Sequence, residues 1–320
     1  MTTILTTSPG FGKHGRVPDL IAEKGWTLIR AADTSKPDGG MSDHIAEADF
    51  LVVGLVPVKA ESLEGASKLK GVLKHGVGVD NIDIAACTAK GLPVVNTPGA
   101  NADAVAELSL GLMFALARNI PAGHASVVSG GWDRKVGTQL GSKVLGIVGL
   151  GNIGRKLALK ARGLGMKILA TDPYADREFA AANDIQIVEL DAVLAASDYV
   201  SLHVFGGAGN AALINAEKLA LMKPTACLLN LARGEVVDLD AVAAALSAEK
   251  LGGVALDAFV SEPPDVSHPV FAHPRTVCTP HSGADTKESV ENMGLMVIED
   301  IQSILDGKTP GRCLNAADLA

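Results

Sequence analysis

The sequence predicts an α/β protein of two doubly wound parallel sheets, with a Rossmann nucleotide-binding domain inserted in a discontinuous, flavodoxin-like substrate domain. Three observations lead there. Short apolar runs alternate with helix-length segments along the 320 residues, as βαβ units require. A glycine fingerprint, Gly149-Leu150-Gly151-Asn152-Ile153-Gly154, directly follows the apolar run 144–148 and begins near mid-chain. A full set of strand and helix signals precedes it, and one helical pattern follows the last strand. The expected domains are therefore 1–98 with 286–320 for the substrate and 99–285 for the nucleotide.

In chain order, strands are expected at 3–7, 28–30, 50–53, 72–74 and 93–96, each a short apolar run bounded by turn formers. Helices are expected between them at 18–24, 63–69 and 82–90. Asn96-Thr97-Pro98-Gly99 then punctuates the chain, and 103–118 carries a long apolar helical pattern suited to a connector. The strand 144–148 leads through the fingerprint into a helix at 153–164, followed by a strand at 168–171. Further strands are expected at 199–204, 227–231, 253–258 and 276–279, and a final helix at 287–305 stops at Gly307.

The fingerprint's spacing has a chemical reason. Gly149 permits the tight turn, Gly151 lets the backbone approach a pyrophosphate, and Gly154 allows close helix–strand packing, with the anion on the helix N-terminus. Asp172 lies 18 positions after Gly154, where a carboxylate accepts from both ribose hydroxyls and repels a 2′-phosphate. NAD is the expected cofactor. Arg177 nearby is the residue that would serve NADP, against the plainer reading of a charge on a solvated helix start.

Composition narrows the class. A hydrophobic fraction of 48% supports buried cores, and a formal charge of −8 gives no electrostatic footprint for nucleic acid. Cys87, Cys227, Cys278 and Cys313 are widely separated, with no C-x-x-C pair, so they read as reduced thiols and no metal site is expected. The first residues lack a secretory signal, and the longest apolar stretch, 108–117, is too short to span a bilayer. A soluble, cytoplasmic enzyme acting on a small molecule is expected.

Three segments at the ends of late strands carry polar residues that a plain core does not need: Asn230 to Gly234, Asp257 to Pro264, and Thr279 to Gly283. Taken singly, Arg233 reads as a surface residue, Glu262 as a loop charge and His281 as a turn histidine. Together they suit the oxidation of a secondary alcohol. Histidine exchanges a proton near neutral pH, a carboxylate beside it favours the imidazolium, and arginine offers a planar fork to a substrate carboxylate. The trio predicts a 2-hydroxy or 2-keto acid.

The chain resembles the D-2-hydroxyacid dehydrogenases over nearly all its length, particularly the phosphoglycerate dehydrogenase branch. The resemblance rests on HGVGVDNID at 75–83, VVNTPGANADAVAE at 94–107, VGLGNIG at 148–154, NLARGEVVD at 230–238 and TPHSG at 279–283. It implies Arg233 as substrate anchor, Glu262 as partner of the histidine and His281 as acid/base. It also places Val77 and Gly78 at the substrate carboxylate, and Asn152, Ile153, Asp172, Val204, Leu231, Asp257 and Gly283 around the cofactor. Related enzymes dimerise through the nucleotide domain. The resemblance thus implies a homodimer in which Trp132, on a glycine-rich loop in a chain with 3% aromatics, approaches the other subunit's substrate cleft.

Departures from the branch bear on the substrate. Gly54 and Lys74 stand where the branch carries arginines suited to a phosphate. Lys74, His75 and Lys59 are then the candidates for a second anionic group, leaving phosphoglycerate, sulfolactate, hydroxypyruvate or another C3 acid open. Phe205-Gly206-Gly207 replaces the usual Pro-Leu-Thr. The chain ends without the regulatory domain of longer phosphoglycerate dehydrogenases, so feedback by serine is not expected. Two alternatives accompany the dehydrogenase reading. Formate dehydrogenase shares the architecture but pairs its histidine with glutamine, and NAD-sensing corepressors keep the same three residues as scaffolds. L-specific lactate and malate dehydrogenases are disfavoured because their fingerprint lies at the N-terminus.

Overall fold

A computed structural model describes residues 1–31, 36–206 and 212–319. Contacts divide the chain into two units, Met1–Asn101 with Ala284–Ala320, and Ala102–Gly283.

The first unit holds β1 (Thr3–Thr6), α1 (Val17–Glu23), β2 (Thr27–Arg30), β3 (Phe50–Val53), β4 (Gly71–Lys74), α2 (Ile84–Ala89) and β5 (Val94–Val95). Its five strands pair in parallel in the order β2-β1-β3-β4-β5, the flavodoxin-like winding. Every residue of β3 and β4 is buried because both faces are covered. Ile4, Phe50, Val52 and Leu73 pack on Val17 and Ile21 of α1 and on Val297, Ile298 and Ile301 of the C-terminal helix. Leu5, Leu51, Val53 and Val72 form the opposite core with Ile45, Val58, Leu63 and Cys87.

Two expected helices differ. The segment 63–69 forms no α-helix: a 3-10 turn, Glu61–Leu63, is followed by Gly65 at φ +75°, a left-handed conformation that a helix cannot continue through. The helix expected from residue 82 starts at Ile84. The Asp83 carboxylate caps it by accepting from the Ala86 N–H at 2.9 Å, while Ile82 bridges to Val58.

The second unit opens with α3 (Ala102–Ala117) and α4 (Ile120–Val128). It continues through β6 (Val144–Val148), α5 (Asn152–Gly163), β7 (Lys167–Thr171), α6 (Arg177–Ala182), β8 (Ile185–Ile187), α7 (Leu190–Ala196) and β9 (Tyr199–Leu202). It closes with α8 (Ala216–Leu221), β10 (Cys227–Asn230), α9 (Leu239–Ser247), β11 (Gly253–Leu256), α10 (Pro269–Ala272) and β12 (Thr276–Cys278). The helices α4, α7, α8, α9 and α10 and the strand β8 add to the elements expected by range. Seven parallel strands run β8-β7-β6-β9-β10-β11-β12, so the winding reverses between β6 and β9, as in a Rossmann sheet. One core lies under α3, α5 and α6, and the other under α7, α8, α9 and α10. Ion pairs from Asp103 to Lys156 (3.0 Å) and Glu107 to Lys160 (2.8 Å) edge the α3–α5 contact. The last helix, α11 (Lys287–Leu305), is capped by Thr286 and returns to the first unit.

Candidate active site

Ligands of open α/β sheets bind beyond the carboxyl ends of the strands where the winding reverses, here β6 and β9. The fingerprint leaves β6 at that point. Gly149 has φ +96°, and a Cβ there would run into the His203 carbonyl just after β9. A Cβ on Gly154 would run into the Gly149 carbonyl. At Gly151 a Cβ would meet nothing within 4 Å, so the space beside that backbone is open. The N–H groups of Gly151, Asn152 and Ile153 have no backbone acceptor among the described residues, which is the donor set a helix N-terminus presents to a phosphate. Asp172, beyond β7, is fixed beside this turn: Oδ2 accepts from the Leu150 N–H at 2.8 Å and Oδ1 from the Tyr174 N–H at 2.7 Å. Val204 and Leu231 leave β9 and β10 and pack into the two cores. The open backbone, free donors and fixed carboxylate fit a dinucleotide.

The three polar segments are brought together by register. β10, β11 and β12 pair side by side, with Asn230 opposite Leu256 and Leu256 opposite Cys278. The ladder runs one residue further, through Asp257 N–H to Asn230 O (2.9 Å) and Thr279 N–H to Leu256 O (3.0 Å). Asn230 then shapes the Arg233 turn, donating to the Arg233 carbonyl at 2.8 Å and accepting from the Ala232 N–H at 3.1 Å. His281 Nδ1 sits 2.7 and 2.8 Å from the two Glu262 oxygens. Burial by itself pushes the Glu262 carboxyl up. The hydrogen bond and charge of His281, the Phe259 N–H and the charge of Arg233 outweigh it and hold the group below its ordinary value.

His281 adopts φ +51°, a left-handed conformation uncommon for a residue with a Cβ. Asp257 holds it there from both sides. Its carboxylate accepts from Thr279 Oγ1 (2.6 Å), Ser282 N–H (2.8 Å) and Gly283 N–H (2.9 Å). Burial raises the Asp257 carboxyl, and these three bonds with the charge of His281 offset only part of the rise. Thr279 escapes sequence reasoning, although its place two residues before the histidine, level with Asp257, was a usable signal.

In the first unit, the loop Gly76-Val77-Gly78 leaves the carboxyl end of β4. Asn96 Nδ2 donates to Val77 O at 2.7 Å and Thr97 Oγ1 to Gly76 O at 2.9 Å, while the N–H groups of Val77 and Gly78 take no backbone acceptor among the described residues. The two residues before the loop correct the expectation. Lys74 is 5% exposed, and its ammonium donates to Gly54 O (2.6 Å) and Asn81 Oδ1 (2.8 Å). His75 is 8% exposed, with Nδ1 3.0 Å from Ser8 Oγ, Nε2 3.2 Å from Val290 O, and the Phe11 ring edge-on. Burial lowers the His75 pKa to about 4, the Val290 carbonyl partly opposing this and the Lys74 charge adding to it. Both side chains turn inward, where the sheet is covered on both faces. Position 54 has no room for an arginine, since a Cβ there lies 2.9 Å from Ser8 Cα and 3.0 Å from Thr7 O. Lys59 is exposed. Of the segment replacing Pro-Leu-Thr, Phe205 is exposed and Gly207 lies outside the described residues.

Among the described residues no cluster of His, Cys, Asp and Glu could hold a metal ion, and no helix is long and apolar enough to cross a membrane.

Residues 110–283 match the model of the D-isomer specific 2-hydroxyacid dehydrogenase NAD-binding domain, and the chain belongs to that family. It is 37% identical over 323 residues to D-3-phosphoglycerate dehydrogenase of Methanocaldococcus jannaschii, covering 100% of this chain and 60% of that protein. The chain spans about half the length of the curated relatives it matches. Two solved structures cover nearly all of it. D-lactate dehydrogenase of Aquifex aeolicus, complexed with NAD and lactic acid, has TM-score 0.81 and 26% identity, covering 96% of each chain. A glyoxylate reductase of Paecilomyes thermophila has TM-score 0.81 and 27% identity, covering 97% of each.

Proposed function

We propose that the protein is an NAD-dependent 2-hydroxyacid dehydrogenase that interconverts a small 2-keto acid and its 2-hydroxy acid. The observation that carries this reading is the contact of His281 Nδ1 with both oxygens of Glu262, on the same sheet edge as Arg233. NAD supplies or accepts the hydride. The protein's own residues do the rest. With Nδ1 committed to Glu262, Nε2 is the nitrogen that gives a proton to the carbonyl oxygen in reduction and removes it in oxidation. Glu262 orients the ring and stabilises the imidazolium. Arg233 anchors the substrate carboxylate, and the N–H groups of Val77 and Gly78 are donors for it. Gly149, Gly151, Asn152, Ile153 and Gly154 seat the pyrophosphate, Asp172 takes the adenosine ribose, and Val204, Leu231, Asp257 and Gly283 lie along the cofactor. Asp257 also holds the histidine loop.

The internal placement of Lys74 and His75 favours keto acids without a second anionic group, such as hydroxypyruvate and glyoxylate. Phosphoglycerate dehydrogenase relatives keep a C3 acid in view. NADH oxidation measured in parallel with hydroxypyruvate, glyoxylate, phosphohydroxypyruvate and sulfopyruvate ranks the four. Absence of turnover with all of them, despite NADH binding, favours a scaffold of the corepressor kind.

We further propose a cytoplasmic homodimer in which Trp132 approaches the partner subunit's substrate site. Support comes from Trp132, 80% exposed, from the likewise exposed apolar residues Ile120, Val127, Val128 and Val136 on and after α4, and from the four free thiols. Light scattering that finds an active monomer refutes the dimer.

A further inference from the structure

Leu150, between the first two fingerprint glycines, is held through both of its backbone polar groups. Its N–H, in the Gly149–Leu150 peptide, goes to Asp172, as described. The Leu150 carbonyl accepts from Arg155 Nε at 3.2 Å. The same guanidinium reaches Asp176 Oδ2 through Nη1 at 3.3 Å and lies over the Phe179 ring, 5.0 Å from its centroid. Asp176 is itself the N-cap of α6, its other oxygen accepting from the Phe179 N–H at 3.0 Å. Arg155 therefore joins three points: the turn after β6, the cap of α6, and the aromatic ring on that helix. The first is bonded to Asp172 directly, and the second ends the loop that runs from Asp172, after β7, to α6.

We infer that Arg155 is a positioning residue for the dinucleotide, locking the pyrophosphate turn, held at the Leu150 carbonyl, to the ribose loop, held at Asp176, without touching the cofactor. An arginine suits the task because its planar fork gives separate N–H groups to two acceptors while its face stacks on an aromatic ring; a lysine ammonium can serve only part of this. With the Leu150 N–H spent on Asp172 and its carbonyl on Arg155, the two peptides that meet at Leu150 are each held by a side chain, and the second of them carries the Gly151 N–H. The donors left to an anion are those of Gly151, Asn152 and Ile153. Loss of the guanidinium frees the Leu150–Gly151 peptide to turn, which takes the Gly151 N–H off the anion's place, and releases the Asp176 end of the Asp172 loop. The ion pair alone is a poor source of stability, since both side chains are about two-fifths exposed at 36% and 42%. Its effect is to be sought in cofactor affinity.

This inference rests on the reading of the turn and Asp172 as the cofactor's seat, and the test separates the two. NADH fluorescence titrations on wild type, Arg155→Ala, Arg155→Lys, Asp172→Ser and the Arg155→Ala/Asp172→Ser double variant give Kd. Steady-state rates and thermal melts accompany them. Arg155→Ala is expected to raise the NADH Kd about tenfold, on the scale of one charge-assisted hydrogen bond, with kcat at saturating NADH falling by a smaller factor. Arg155→Lys should recover part of the affinity. The double variant should lose less than the product of the single losses, because both residues hold Leu150. A Kd for Arg155→Ala within twofold of wild type, alongside a weakened Asp172→Ser, overturns the role of Arg155 alone. Unchanged affinity in both single variants overturns the reading of the turn itself. A lower melting temperature with Kd unchanged makes Arg155 merely structural, and multiplicative losses in the double variant overturn the coupling through Leu150.

Discussion

A carboxylate that meets one ring nitrogen with both oxygens decides which nitrogen does the chemistry. In a neutral His281 the proton belongs on Nδ1, facing Glu262 at 2.7 and 2.8 Å, and Nε2 is left to exchange with substrate. His281→Ala should therefore lower kcat by about 100-fold or more, the scale of a lost general acid/base, with little change in NADH affinity. Wild-type turnover in that variant would remove His281 from the mechanism. Because His281, the Phe259 N–H and Arg233 hold the Glu262 carboxyl below its ordinary value, Glu262 is ionised at neutral pH. A neutral Glu262→Gln removes the negative charge that meets the ring at both oxygens, so kcat/KM for the keto acid should fall by about tenfold or more; wild-type kcat/KM would contradict the pairing. These residues were legible because polar side chains at three neighbouring strand ends have no use in a core. The surroundings of Lys74 and His75 were not legible, for the converse reason. Residue type beside a glycine loop does not tell whether a side chain follows the loop or turns beneath the sheet, and here Gly54, Asn81, Ser8 and Val290 take them inward.

At the scale of elements, the parallel strands were readable because a strand covered on both faces is a continuous apolar run, as in FLVV of β3 and CLLN of β10. Short elements carried less signal: β8 has three residues, and the 63–69 pattern lost its helix to Gly65. Loop anchoring was not readable, since the partners of Val77 and Gly76 lie 19 and 21 residues away in sequence. Lys74 is the anchor at the end of β4, and this gives a prediction opposite to that of a phosphate ligand. Lys74→Met keeps the stem but leaves the Asn81 amide oxygen without its Lys74 donor and the Gly54 carbonyl with the Asn81 amide N–H at 3.1 Å, which should destabilise the fold by about 1–3 kcal/mol in urea unfolding. Losses in kcat/KM should be equal for glyoxylate and phosphohydroxypyruvate. A selective loss of the dianionic substrate would restore Lys74 as a substrate ligand.

For the whole molecule, two buried histidines set how the chain responds to acid. Burial lowers His75 to about 4 and His203 to about 3, against a usual value near 6.5. His203 pairs Nε2 with Ser201 Oγ at 2.9 Å, while its buried Nδ1 has no hydrogen-bond partner among the described residues, so a charge there is poorly met. The sign follows from proton counting. Above pH 6.5 both rings are neutral in folded and unfolded chains and contribute no pH dependence. Between 6.5 and about 4 the unfolded chain takes up protons that the folded chain refuses, so stability falls with pH across that window. For His75 at pH 5, about 1.5 units below the unfolded value, the loss is about 2 kcal/mol. His75→Gln keeps a donor for Val290 O and an acceptor for Ser8 Oγ but cannot titrate. The drop in urea-unfolding free energy between pH 7.5 and 5.0 should therefore be about 2 kcal/mol smaller in His75→Gln than in wild type. Carboxylates such as Glu262 and Asp257 also titrate towards acid, but they are common to both proteins and cancel in the comparison. An identical pH dependence in the two would mean that His75 is protonated in the folded chain, and that its bonds to Ser8 and Val290 do not hold it neutral.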